Sequence, residues 1–196
     1  KQVKGKNLYL TGGIMRAIAR VFIEQTNYPL HVVDGYTIKA SEALDLSRLM
    51  SGLSNRTLRK VSSLSPSRVK SVPFATEVLG SLIESCSPAN VVFSGFGMRE
   101  GQMLQHLPED MRHQDPLIAG AETLSERTGR FSLKGVEVSD WVRPLFPDAQ
   151  DEDRRRILAS CLLSDIGWNE HPDYRAEHAF FRALRLPYAG LSHADR

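Results

Sequence analysis

The chain is poor in the features that mark specialised proteins. Its 196 residues hold two cysteines, Cys86 and Cys161. Two cannot make a disulfide scaffold or a zinc ribbon. Both fall in apolar helical patterns, which predicts buried, reduced thiols and a reducing compartment. Neither sign of charge dominates: 25 Lys+Arg against 23 Asp+Glu leave +2. That argues against a strongly basic nucleic-acid binder, although it allows local patches. No apolar run approaches the ~18 residues of a membrane span. The start, residues 1–6, is basic, but the apolar stretch behind it stops at Thr11-Gly12-Gly13, too soon for a signal-peptide core. A cytoplasmic protein without membrane contact is expected.

What is present suits a folded protein. Hydrophobic residues make up 41% and charged residues 24%, enough apolar material for a core. The length fits one large domain or two small ones. The chain has no initiator Met and closes on Ser192-His193-Ala194-Asp195-Arg196 without a terminating pattern. A piece of a longer protein is expected.

The two halves differ. The first alternates strand-like and helix-like runs, predicting an α/β layer with some parallel pairing. Asn7 to Thr11 reads as a strand, and Ile14 to Gln25 as a helix with Ile14, Ala17, Ile18, Val21 and Phe22 on one face. Leu30 to Ile38 reads as a strand or a hairpin turning at Asp34-Gly35. Ser41 or Asp45 would cap the next helix. Ser65-Pro66 opens another helical stretch. In its main part Pro73 sits in the first turn, and Ala75, Val78, Leu79, Leu82, Ile83 and Cys86 are expected inside. Val91 to Phe93 is a strand, followed by a helix from Met98 to His106. Leu107 to Asp115 is a polar break without periodicity. Beyond it every pattern is helical. Asp115-Pro116 caps a helix that Gly129 ends. Val138 to Phe146 is a short helix. Asp151 to Trp168 is a long one burying Ile157, Leu158, Cys161, Leu162 and Ile166, and Asp173 to Leu186 is the last.

Four places could carry chemistry. Thr11-Gly12-Gly13-Ile14-Met15-Arg16 runs from strand through glycines into a helix. Glycines let backbone approach a ligand, and the free amides of a helix start attract anions; a plain tight turn would read the same way. Ser94-Gly95-Phe96-Gly97-Met98-Arg99-Glu100-Gly101 repeats the design, with Glu100 as a complement to the helix dipole. Two such loops would face one crevice, because open α/β sheets bind ligands outside the carboxyl ends of their strands. Arg56, Arg59, Lys60, Arg68 and Lys70 form a cationic stretch that suits a polyanion or a solvated face. Finally, Ser164-Asp165, with His171 and His178 downstream, stands where a His-Asp metal pair would need a His. Ser is a poor ligand for such metals, so no metal is expected. Asp165 is expected to take hydrogen bonds from a neighbouring helix or Arg175. Neither a nucleophile elbow nor a paired-carboxylate constellation is visible.

These blocks resemble a known family. Thr11-Gly-Gly-Ile-Met-Arg-Ala-Ile-Ala19, Tyr28 to Tyr36, Leu64-Ser-Pro-Ser-Arg-Val69 and Val91 to Gly101 resemble the exopolyphosphatase / guanosine pentaphosphate phosphatase (Ppx/GppA) family in order and rough spacing. The second half, with Asp115-Pro-Leu117, Trp141 to Pro147 and Ala159 to Ala179, resembles the helical HD-like domain of its longer members. The resemblance implies an α/β, ribonuclease H-like second lobe of an actin-like ATPase core over residues 1–107. A helical HD-like domain would follow over 113–196, both incomplete. It implies hydrolysis of terminal phosphoanhydrides of polyphosphate or guanosine pentaphosphate by the full-length protein. Mg2+ and the catalytic acids would be held mainly by a first lobe that is not among these residues. The phosphate- or nucleotide-binding positions implied here are Gly12, Gly13, Arg16, Arg68, Gly95, Gly97 and Arg99. No catalytic residue is assigned within the chain, and Ser164-Asp165 is a degenerate HD pair. The alternatives are a non-catalytic module for polyphosphate or guanosine tetra- or pentaphosphate, and a dimerisation segment.

Overall fold

Short runs of β-branched and aromatic residues make the strands: β1 (Asn7–Leu10), β2 (Tyr36–Lys39) and β3 (Asn90–Phe93). They form one sheet in the order β1-β3-β2. β3 runs parallel to β1, with Leu10 opposite Phe93, and antiparallel to β2, with Tyr36 opposite Phe93. Val91, Val92 and Phe93 are all buried, as a central strand requires. The Phe93 ring stacks on Tyr36 at 5.8 Å and meets the edge of Phe22 at 6.0 Å. The computed structural model describes residues 4–61, 64–128 and 135–196. The chain divides at His106–Leu107 into two units.

In the first unit β1 leads into α1 (Gly13–Gln25), β2 into α2 (Ala40–Ser51), and β3 into α5 (Met98–Gln105). A single turn, α3 (Asn55–Leu58), and a longer α4 (Val72–Cys86) lie between β2 and β3. The mixed α/β character is as the alternating pattern predicts. α1 buries Ala17, Ile18, Ala19, Val21, Phe22 and Ile23 against the sheet. Pro73 sits in the first turn of α4.

Several expectations change. Leu30 to Val33 forms no strand, so there is no hairpin; the chain turns at Asp34-Gly35, where the Tyr36 amide bonds the Val33 carbonyl at 3.1 Å. α2 is entered from extended Lys39 without a side-chain cap, and Ser41 and Asp45 lie inside the helix. Residues 65–70 are turns rather than a helix start. α4 is rotated from the expected face: it buries Val72, Thr76, Leu79, Gly80 and Ile83 and leaves Val78 and Leu82 exposed. That face packs on α2; the Leu44 side chain lies beside Gly80 with ordinary room left for a methyl group there. Cys86 and Cys161 are only half-buried free thiols.

The second unit is helical, with no strand among the described residues: α6 (Glu109–Arg112), α7 (Pro116–Thr128), α8 (Gly135–Val142), α9 (Asp151–Leu162) and α10 (Arg175–Leu184). The polar break thus contains a helical turn, α6. The stop expected at Gly129 lies outside the described residues. α9 ends early, because the Ser164 hydroxyl takes the Cys161 carbonyl at 2.8 Å in place of a continuing helix bond. Its buried residues are Ala159 and Leu162, with Ile157, Leu158 and Cys161 only half-buried; Ile166, in the turns beyond α9, is buried. Among the described residues no helix is long and apolar enough to cross a membrane.

Asp115 organises this unit. Its Oδ1 accepts from the Leu117 amide at 2.9 Å and the Ile118 amide at 3.4 Å, capping α7. The same carboxylate takes a two-point contact from Arg155 of α9, whose Nη1 also donates to the Gly190 carbonyl at 2.9 Å. The Arg155 hydrogen bond first, then the helix amides, hold the Asp115 carboxyl below its usual range against the opposing effect of burial. A depressed carboxyl stabilises the fold above its unfolded value, near 3.8, and loses that contribution as pH falls through the folded value. Asp115→Asn is expected to flatten the acid limb of a stability–pH curve measured by thermal denaturation. In the first unit, Leu79→Ala should cost about 2–5 kcal/mol by denaturant melts. Val78→Ser, on the exposed side of α4, should stay within about 0.5 kcal/mol.

Candidate functional site

The two glycine loops meet at the carboxyl end of the parallel pair. Gly12 leaves β1 with φ +96°, a conformation that favours glycine. Its carbonyl accepts from the Arg16 amide at 3.1 Å and starts α1. The Ser94 amide bonds the Leu10 carbonyl at 2.9 Å, extending the ladder one step past β3 and laying the second loop beside the first.

Arginines join the loops. The Arg16 guanidinium on the first turn of α1 donates from Nη1 to the Gly95 carbonyl at 3.2 Å. Arg68 arrives from the turn before α4, where its carbonyl receives the Ser71 and Val72 amides. Its guanidinium lies over Gly13: a methyl group there would stand 2.9 Å from Nη2. Of the sequence-expected positions, Gly12, Gly13, Arg16, Arg68 and Gly95 are therefore drawn into one contact set, with Gly97 two residues beyond. Arg99 is exposed on the first turn of α5. Arg56, Arg59, Lys60 and Lys70 are exposed as well. Among the cations of that stretch, it is Arg68 that reaches a glycine loop.

Two acids complete the cluster. Asp34, in the turn before β2, accepts the Gly95 amide on Oδ1 at 2.8 Å, with the Ser94 hydroxyl at 3.5 Å. A methyl on Gly95 would stand 3.0 Å from the Asp34 Cβ and would press on it. Asp34 was legible in the sequence only as a turn residue. Its partner lies 61 positions away, and nothing local marks the pairing. Glu100 turns back on its own helix start and accepts the Gly97 amide at 2.7 Å. Its own backbone amide and that of Gly97 hold its carboxyl below the usual range; Arg99 and Arg16 add to the effect. The arrangement presents guanidinium groups and glycine backbone at the mouth of two loops. That combination suits oxyanions.

The other candidate pair does not assemble a comparable site. Ser164 is turned onto the Cys161 carbonyl, and Asp165 lies in the turns beyond the end of α9, not on a helix face. Arg175 Nε donates to the Glu170 carbonyl at 3.2 Å, and His178 stands 3.7 Å from the Glu170 carboxylate. Among the described residues no group of His, Cys, Asp and Glu side chains is placed to hold a metal ion.

Asp34→Ala is expected to free the Gly95 amide. Hydrogen exchange should quicken at residues 94–97 and leave the centre of α1 protected. The stability loss should be about 1.5–3 kcal/mol, as for a hydrogen bond to a charged group.

No family model matches the chain. Retrograde regulation protein 2 of Saccharomyces cerevisiae is 28% identical over 216 aligned positions, which cover all of this chain and 34% of that protein. The chain thus spans about a third of the length of the curated relative it matches. At that identity the match shows similarity to that protein along the whole of this chain.

Proposed function

We propose that this chain forms one wall of a phosphate-chain cleft in a Ppx/GppA-type protein, and that alone it binds condensed phosphate without hydrolysing it. In the longer protein it would correspond to the second actin-like lobe and the start of the helical HD-like domain. The reaction it would serve is removal of terminal orthophosphate from polyphosphate or guanosine pentaphosphate. One observation carries the reading. Arg68 lies on Gly13 and Arg16 on Gly95, so two guanidinium groups converge on adjacent glycine loops.

Guanidinium groups bind phosphate oxygens in a fork geometry and keep their charge at all working pH. The amides of Gly95, Phe96 and Gly97 are taken by Asp34, Ser94 and Glu100, so the guanidinium groups carry the attraction. The site's donor set does not fit a divalent cation. Its two acids are engaged with backbone amides, and the groups around them are cationic. No step is therefore assigned to a metal here; Mg2+ would belong to the rest of the longer protein. A binding role without turnover also agrees with a relative whose name is that of a regulation protein.

Titration of the 196-residue chain with tripolyphosphate by calorimetry tests the proposal. The combined Arg16→Ala, Arg68→Ala and Arg99→Ala variant should bind at least tenfold more weakly. Binding by the wild type should weaken with added salt. Unchanged affinity in the variant overturns the binding reading. Orthophosphate release above a mock preparation overturns the claim that the chain alone is inactive.

A further inference from the structure

The two acids at the glycine loops serve different ends. Asp34 holds the loop from outside, through the Gly95 amide and Ser94. Glu100 lies on the loop that anchors Arg16. Its carboxylate is pinned to the Gly97 amide at 2.7 Å, and two residues earlier the Gly95 carbonyl accepts from Arg16 at 3.2 Å. The same short loop therefore anchors one guanidinium and one carboxylate two residues apart. Arg99 is the residue before Glu100, and the charges of Arg99 and Arg16 both bear on the Glu100 carboxyl. Glu100 is nevertheless exposed. Nothing in the core needs its charge, and its cap could be supplied by an uncharged oxygen.

We infer that Glu100 is a built-in counter-anion of the arginine site, holding down the affinity of Arg16 and Arg99 for condensed phosphate. The inference rests on the phosphate-binding reading above and names how that site is regulated. A bound phosphate chain meets two obstacles: reduced positive potential at Arg16 and Arg99, and repulsion from a carboxylate fixed beside its path. The natural ligand is then one that brings several negative charges at once, a condensed phosphate rather than orthophosphate. At an exposed, solvent-screened site one carboxylate facing a multiply charged ligand is worth about three- to tenfold in affinity.

Glu100→Gln isolates the charge. The Gln carbonyl oxygen can accept the Gly97 amide, so the cap is kept while the negative charge is lost. Glu100→Ala removes both, with folding checked by circular dichroism. Tripolyphosphate is titrated into the wild type, both variants, and the Arg16→Ala/Arg68→Ala chain, at low and moderate salt. The expected result is three- to tenfold tighter binding in Glu100→Gln, with a small fall in melting temperature from the lost charge at the helix start and a gain that shrinks as salt rises. A folded Glu100→Ala should also bind more tightly than wild type. Were Glu100 only a structural cap, Glu100→Gln would match the wild type and Glu100→Ala would bind more weakly; either outcome overturns the inference while the phosphate reading stands. Absence of binding by both wild type and Glu100→Gln overturns the two together.

Discussion

The loop that follows β3 has left the sheet, and its backbone amides need partners. Asp34 provides one for Gly95. This bond does more than close a turn. Beside it the Gly35 amide bonds the Phe93 carbonyl at 3.0 Å, so the turn before β2 grips the central strand from both its last residue and the loop beyond. With Ser94 tied to Leu10 on the other side, the exit of β3 is held by both neighbouring strands. Arg16 can then meet the Gly95 carbonyl at a fixed place. Buried or half-buried loop backbone is tolerated when its polar groups are paired, and here the pairing also sets where the arginines point.

The helical unit has the same logic at a different place. Asp115 caps α7, and the cap is also the anchor for Arg155 of α9, which carries on to the Gly190 carbonyl. One carboxylate links a helix start, a second helix and the closing segment of the chain. A half-exposed ion pair alone would be worth little. Its value here comes from geometry, because the carboxylate is already oriented by the amides of α7 when the guanidinium arrives.

What the sequence made legible follows from the range of each signal. The first and third strands, the glycine turns, the Asp115 cap and the helical second half are local patterns, and they appear where expected. The inner face of α4 was not local. Its periodicity fits the stripe Val78-Leu82 as well as Leu79-Ile83, and the choice is made by packing against α2, which lies far off in sequence. The hairpin expected at Asp34-Gly35 failed for a related reason: β2 pairs with β3, far along the chain, and leaves Leu30 to Val33 without a partner. In the site, the glycines and arginines could be named singly. Their contacts, Arg16 with Gly95 across 79 positions and Asp34 with Gly95 across 61, exist only because parallel pairing of β1 and β3 brings their exits together.

The nearly neutral net charge conceals this arrangement. A count of +2 weighs every carboxylate against every cation, but the carboxylates differ in what they neutralise. Asp115 is spent on Arg155 and helix amides, and Asp34 on a loop amide. The loop amides that Asp34 and Glu100 hold are neutral, so both carboxylates keep their charge on the loop that anchors Arg16. A near-neutral total is therefore compatible with closely placed charges of both signs at the glycine loops.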